Sequence, residues 1–157
     1  NLVSDLDLQF RVACGIGFST TSLKEIKQLL SVSPHQGKIL KSPKSLYRHM
    51  IWSDLAISTN GLTKYELAAT GTPALLISTD EIHNQSNQPF MLKNTAIDLG
   101  LAKHSRPQNI ALRTKDILSN GAHRQQMSDA GQQLVDGLGC DRIFYLLEIP
   151  SETSKRI

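Results

Sequence analysis

The sequence predicts an α/β domain of three layers, α/β/α, with helices on both faces of a mostly parallel sheet of five to six strands. Three observations carry this prediction. Short apolar runs alternate with stretches of helical periodicity along most of the 157 residues. Residues 54–78, DLAISTNGLTKYELAATGTPALLIS, spell strand, glycine turn, helix, glycine–proline turn, strand, which is a βαβ unit. Within it, Ala74-Leu75-Leu76-Ile77 is wholly apolar, as expected of a parallel strand covered on both faces.

Taken in order, residues 10–14 (FRVAC) form the first strand and close on Gly15-Ile16-Gly17-Phe18. Ser19 leads into a helix over residues 22–30, with Leu23, Ile26, Leu29 and Leu30 on its buried face. Residues 31–37 turn at Pro34, and residues 38–41 form a short strand. Pro43 can open a helix over residues 44–52 that turns Leu46, Met50 and Ile51 inward. In the βαβ unit, Leu55-Ala56-Ile57 is the strand, and Leu62, Tyr65 and Ala69 recur at helical spacing. Gly71 suits the left-handed turn past a helix end, and Pro73 cannot continue the helix.

Residues 79–88, TDEIHNQSNQ, read as a polar loop long enough to carry function. A helix is expected over residues 89–99, capped by Gly100, and then a last short strand over residues 101–104. Pro107 opens a helix to Leu118. Another spans residues 123–135 and buries Met127, Ala130, Leu134 and Val135. Asp136-Gly137-Leu138-Gly139 turns the chain into a final helix over residues 140–149, and residues 151–157 are expected to fray.

Composition bounds the function. A hydrophobic content of 39% with 20% charged residues describes one ordinary globular domain, assigned here to residues 1–150. A net charge of +3, sparse aromatics and no dense Lys/Arg run argue against nucleic acid as a partner. Cys14 and Cys140 are too few and too far apart for a zinc site or a disulfide framework, which favours a reducing, cytoplasmic setting. No apolar run approaches the roughly 20 residues of a membrane span, and no signal peptide is present, so membrane association would be at most peripheral, at the inner membrane. The chain starts at Asn1 without an initiator Met, and is expected to be a piece of something longer.

Three features could carry chemistry. Gly15-x-Gly17 after a strand permits close approach of the backbone to a phosphate, or makes only a tight strand-to-helix turn. Asn60-Gly61-Leu62-Thr63 lies at the carboxyl end of a strand, where open α/β sheets bind ligands, and Thr63 adds a hydroxyl to the amide donors. The competing reading is structural: Thr63-x-x-Glu66 has the spacing of a capping box. In the polar loop, Asp80, Glu81, His83, Asn84, Gln85, Asn87 and Gln88 concentrate groups suited to sugar hydroxyls, or form a solvated loop. No second cluster makes that loop a metal site. His35, His49, His104 and His123 read as surface histidines. No nucleophile–base pair or carboxylate pair is legible, so the domain carries no complete catalytic apparatus.

The run Met50-Ile51-Trp52-Ser53-Asp54-Leu55-Ala56-Ile57 through Gly61-x-Thr63-x-x-Glu66-Leu67-Ala68-Ala69-x-Gly71-x-Pro73 resembles the carboxyl-terminal domain of GT-B nucleotide-sugar enzymes. Arg124-x-x-Met127-Ser128-x-x-Gly131-x-x-Leu134-Val135-Asp136-Gly137-x-Gly139-x-x-Arg142-Ile143 is similar to the ending of one subgroup. That subgroup holds the UDP-sugar hydrolase of pseudaminic acid biosynthesis and the spore-coat polysaccharide glycosyltransferase-like proteins. The resemblance covers about residues 8–147 and implies a Rossmann-like fold with a UDP-sugar site.

By that resemblance, Glu66 would accept from the ribose hydroxyls, and Gly61, Leu62 and Thr63 would face the diphosphate. Residues 41–45, around Pro43, would lie against the uracil, and Gly15 and Gly17 would border the cleft. Asn60 stands where many relatives have glycine or serine. Asn84-Gln85 and Asn87-Gln88 compete for the relatives' Asn-Gln pair, and Asn87 and Gln88 are preferred because Pro89 follows directly. No cofactor or metal is implied. The acceptor half, an amino-terminal GT-B domain, has no room in this chain and would lie upstream in the same gene or on a separate subunit. The alternative is a non-catalytic nucleotide-binding or assembly module that keeps the fold.

Overall fold

Among the residues that the computed structural model describes (3, 5–59 and 61–148), strands and helices alternate as the sequence predicts. Strands β1 (Gln9–Cys14) and β2 (Gln36–Lys41) pair in parallel. Strands β3 (Ala56–Thr59), β4 (Ala74–Ser78) and β5 (Ala96–Leu101) form a second parallel sheet in the order β3-β4-β5. The α/β class holds. The strands are hydrogen-bonded as a pair and a triplet, however, rather than as one sheet of five to six.

β4 is the centre of the core. Leu75 and Leu76 are both 0% exposed, and neighbouring strand residues point to opposite faces. Leu76 and Ala74 pack with Met50, Leu67, Ala68, Phe90 and Ala96, while Leu75 packs with Ile117 and Met127. One face is therefore covered by α3 (Thr63–Ala69) and α5 (Gln88–Leu92), and the other by α6 (Pro107–Leu118) and α7 (Gly121–Leu134). The all-apolar run of β4, residues 74–77, is the direct consequence of having no solvent face.

Local signals place several helix ends. Ser19 caps α1 (Thr20–Ser31), its Oγ accepting from the Ser22 amide at 3.0 Å. Gly71 has φ +68 just past α3, where the Gly71 and Thr72 amides donate to the Ala68 and Leu67 carbonyls at 3.0 and 2.8 Å. Leu29, expected inside on α1, is exposed.

Several expectations are corrected. The helix over residues 44–52 shrinks to α2 (Tyr47–Met50), and Ile51 is exposed. Pro43 does not open it, because Ser42 (φ 42) turns the chain and donates its amide to the Cys14 carbonyl at 2.8 Å. The polar loop contains a short helix, α4 (Glu81–Gln85), capped by Asp80, which accepts from the His83 amide at 2.9 Å.

The predicted helix over residues 89–99 stops at Leu92: Asn94 takes the left-handed conformation (φ 55), and the Thr95 amide and hydroxyl both donate to the Phe90 carbonyl. The chain then extends as β5, because Ala96, Ile97, Leu99 and Leu101 gain more by completing the open edge of β4 than by continuing a helix. Gly100 (φ +76) is therefore not a helix cap. It sits in a bulge where the β4–β5 register slips, its amide donating to Asp98, and the predicted final strand is a single 3-10 turn, Ala102–His104. The last helix, α8, spans Gly139–Glu148. The predicted tail, 151–157, lies outside the described residues.

Candidate functional site

Parallel pairing sets the carboxyl ends of β3, β4 and β5 along one edge of their sheet, where the chain enters α3 and α4. The first-turn amides of a helix have no intrahelical acceptor, so the entry to α3 presents free donors. Leu62 holds the cap position with helical φ/ψ and makes no side-chain capping bond; Thr63 is already the first helical residue. The Thr63–Glu66 capping box does not form. Glu66 is exposed and its carboxylate has no hydrogen-bond partner among the described residues, while Leu62 is exposed and a Cβ on Gly61 would meet open space. Asn60 lies outside the described residues.

Behind this open turn sits a buried polar network that the sequence reading missed. Lys64 is only 4% exposed. Its ammonium donates to the Ser86 carbonyl (2.9 Å), Ser86 Oγ (2.7 Å) and Asn87 Oδ1 (3.1 Å), which accounts for all three of its protons. Asn87 is 0% exposed, and its amide donates to Ser78 Oγ at 3.0 Å and towards Asp98 Oδ1 at 3.5 Å. Ser78 Oγ in turn donates to Asn84 Oδ1 at 3.3 Å. Burial holds the Lys64 ammonium below its ordinary range, and the Asp98 carboxylate partly opposes that shift.

The aromatic pair Tyr65–Phe90, edge to face at 5.0 Å, lies beside the ammonium, with the Phe90 ring centre 5.3 Å away. A signal did exist: Lys64, Leu67 and Ala68 share one helical face at i, i+3, i+4, which puts a lysine on the buried side of α3.

The network links the two predicted parts of the site on this sheet. Of the competing Asn-Gln pairs, both asparagines engage the network, whereas Gln85 and Gln88 stay exposed. Beside them, Asp80 accepts from the His83 ring, Nδ1 to Oδ2 2.6 Å, with both side chains about half exposed. The His83 amide first, and then its ring, hold the Asp80 carboxyl below the usual range.

Gly15, Gly17 and Pro43 are built on the other sheet. There the Ser42–Cys14 bond joins the ends of β1 and β2, and a Cβ on either glycine would meet open space. Among the described residues, no three His, Cys, Asp or Glu gather as a metal site, and no helix is long and apolar enough to cross a membrane.

The second motif, residues 124–143, is architecture. The Arg124 guanidinium donates to the Ile117 and Leu118 carbonyls and closes the end of α6. Gly131 lets α7 touch the α3 backbone, and Gly137 has φ +78. Asp136 accepts from the Arg142 guanidinium and, with a smaller effect, from the Leu138 amide, each at 3.0 Å, which pulls its pKa down to about 2. With a folded pKa below the unfolded one, this contact is complete above about pH 4 and is lost as the pH falls through about 2. An NMR carboxyl titration should find the Asp136 midpoint near 2, moving towards 3.8 in Arg142→Gln. A midpoint unmoved by that change would deny the pair its role.

No family model matches the chain. It is 25% identical over 133 residues to the spore coat polysaccharide biosynthesis protein SpsG of Bacillus subtilis (strain 168), covering 85% of this chain and 39% of that protein. Its fold matches a crystal structure assigned as a UDP-N-acetylglucosamine 2-epimerase from Listeria monocytogenes, with a TM-score of 0.69 and 14% identity over 91% of this chain and 45% of that one. The fold is thus a Rossmann-like domain of the GT-B type. The chain spans less than half the length of either protein, and the spore-coat polysaccharide protein is a relative of the kind its motifs resemble.

Proposed function

We propose that this chain is the donor-nucleotide domain of a glycosyltransferase or UDP-sugar hydrolase. The enzyme would act at the anomeric carbon of a UDP-amino-sugar, in surface polysaccharide or nonulosonic acid biosynthesis. The observation that carries the reading is the open entry to α3: among the described residues, neither the exposed Glu66 carboxylate nor the amides of Gly61, Leu62 and Thr63 have a hydrogen-bond partner. In the proposed complex these amides and the Thr63 hydroxyl stabilise the diphosphate as it leaves, and Glu66 accepts from the ribose. Pro43 and its neighbours lie against the base. Gln88, exposed beside the anchored Asn87, reaches the sugar. Gly15 and Gly17 border the cleft, and Asn60 is a further proposed contact of the ligand.

A second domain, upstream or on another subunit, supplies the acceptor and the catalytic base. The lengths of the relatives support it. So does α8, where Ile143, Phe144, Tyr145, Leu146 and Leu147 are each at least 60% exposed, a run of apolar surface of the kind that marks an interaction site. On this reading the isolated chain binds UDP weakly and releases no sugar.

Thermal shift with millimolar UDP is the test: stabilisation should grow with ligand concentration. Absence of a shift with every nucleoside diphosphate would favour the non-catalytic module. Glu66→Gln should weaken UDP binding by about tenfold or more, because charge-assisted bonds worth roughly 1.5–3 kcal/mol each are lost. Its stability should move by no more than about 0.5 kcal/mol, since Glu66 makes no capping bond. Unchanged affinity by calorimetry would put the ribose elsewhere.

A further inference from the structure

We infer that Lys64 is a positioning residue that couples the two ligand-facing parts of this edge: the α3 entry and the segment carrying Asn84 to Gln88. The inference rests on the sugar-nucleotide reading for its ligand, but its geometry stands apart from it. Lys64 is the second residue of α3, one position past Thr63, so its backbone belongs to the turn proposed to face the diphosphate. Its ammonium grips a segment 22 and 23 residues further on, at the Ser86 carbonyl, Ser86 Oγ and Asn87 Oδ1.

Each grip constrains a different element. Ser86 Oγ donates to the His83 carbonyl at 2.7 Å, closing the end of α4. The Asn87 carbonyl accepts the Phe90 and Met91 amides, opening α5. One buried cation therefore fixes where α4 stops and α5 starts, and so where Gln85 and Gln88 emerge into solvent. Three further polar residues, Ser78, Asn84 and Asp98, join the network through Asn87, so the charge is embedded in a polar cluster rather than in apolar surroundings alone.

The hydrogen-bond inventory says why lysine is needed. Three acceptors converge on one point, and an ammonium supplies three donors there; no neutral side chain of similar length does. A methionine would fill the same volume beside Phe90 and Tyr65 but leave all three acceptors without a donor. The resulting freedom should be local, since β4 is held independently by β3, β5 and its two apolar faces. A sugar held by exposed side chains on 84–88 would lose its fixed partner, whereas a nucleotide held at α3 and at the β2 end would not.

Native-state hydrogen exchange on the ligand-free chain, wild type against Lys64→Met, tests the clamp. Protection of the Ser86, Asn87, Phe90 and Met91 amides should fall about tenfold or more, with β4 amides changed by less than about twofold. Ser86→Ala, which removes one acceptor from an exposed residue, should act on the same amides more weakly, and it decides the matter if Lys64→Met does not fold. Uniform loss across β4 and the 84–91 segment, or no loss at all, would overturn the clamp.

Calorimetry with UDP and with UDP-N-acetylglucosamine then separates positioning from scaffolding. The extra affinity that the sugar confers over UDP in wild type should vanish in the variant, whatever the change in UDP affinity itself, because the increment is taken within each protein. An undiminished sugar increment overturns the positioning role. Wild type that binds neither probe sinks the sugar-nucleotide reading instead, and the clamp then stands or falls on exchange alone.

Discussion

Gly131→Ala should destabilise this domain by about 1–3 kcal/mol, the cost of overpacking a filled contact. The sign is what makes the result informative. Glycine to alanine in an exposed helix interior normally stabilises by about 1 kcal/mol, because alanine has the higher helix propensity. At Gly131 the added Cβ would lie 2.9 Å from the Ala68 carbonyl oxygen and 3.2 Å from the Ala68 Cα. Both are backbone atoms, so neither can rotate away as a side-chain tip could. Relief requires α7 to lift from α3, which would loosen Met127 on one face of the sheet and Leu134 on the other. Urea unfolding of Gly131→Ala beside an exposed control, Gly121→Ala, measures the difference. A stabilised Gly131→Ala would show that the α3–α7 contact is looser than the close approach implies.

Leu75→Ala should cost about 2–5 kcal/mol, the range for emptying a fully buried leucine site. Leu75 is the β4 residue facing α6 and α7, packed with Ile117 and Met127 and flanked by Leu55, Ile97 and Leu99. Since a domain of this size is stabilised by only about 5–15 kcal/mol in total, that loss should be visible in both Tm and the urea midpoint. Leu147→Ala on α8, a residue 76% exposed, should shift stability by no more than about 0.5 kcal/mol. A comparable loss from both would mean that α8 is packed in solution, by a second copy or by a contact not formed here. Nucleotide affinity of the folded Leu75→Ala population should match wild type, because the open turn of α3 belongs to the opposite face of the sheet.

By itself the sequence determined the parts whose signals are local. The βαβ unit from Leu55 to Ile77 was legible because strand, helix and punctuation each have their own period or residue type. Glycine takes the left-handed conformation without steric cost, so the end of α3 followed from Gly71 and the proline after it. The exposed Gly61-Leu62-Thr63 turn was legible for the same reason, as a consequence of where a parallel strand ends.

What only the tertiary structure decided are choices between two locally acceptable states. Residues 96–101 satisfy a helix or a strand, and the free edge of β4 made them β5. Glu66 could have closed a capping box, but α3 begins at Thr63, which leaves the carboxylate without a partner among the described residues. Asn84 and Asn87 looked like surface groups of a polar loop. A lysine 23 residues upstream of Asn87 in the chain, and next to it in space, drew Asn87 inside. A buried charge is tolerated only where enough acceptors converge, and convergence of that kind is a property of packed elements that no window of sequence contains.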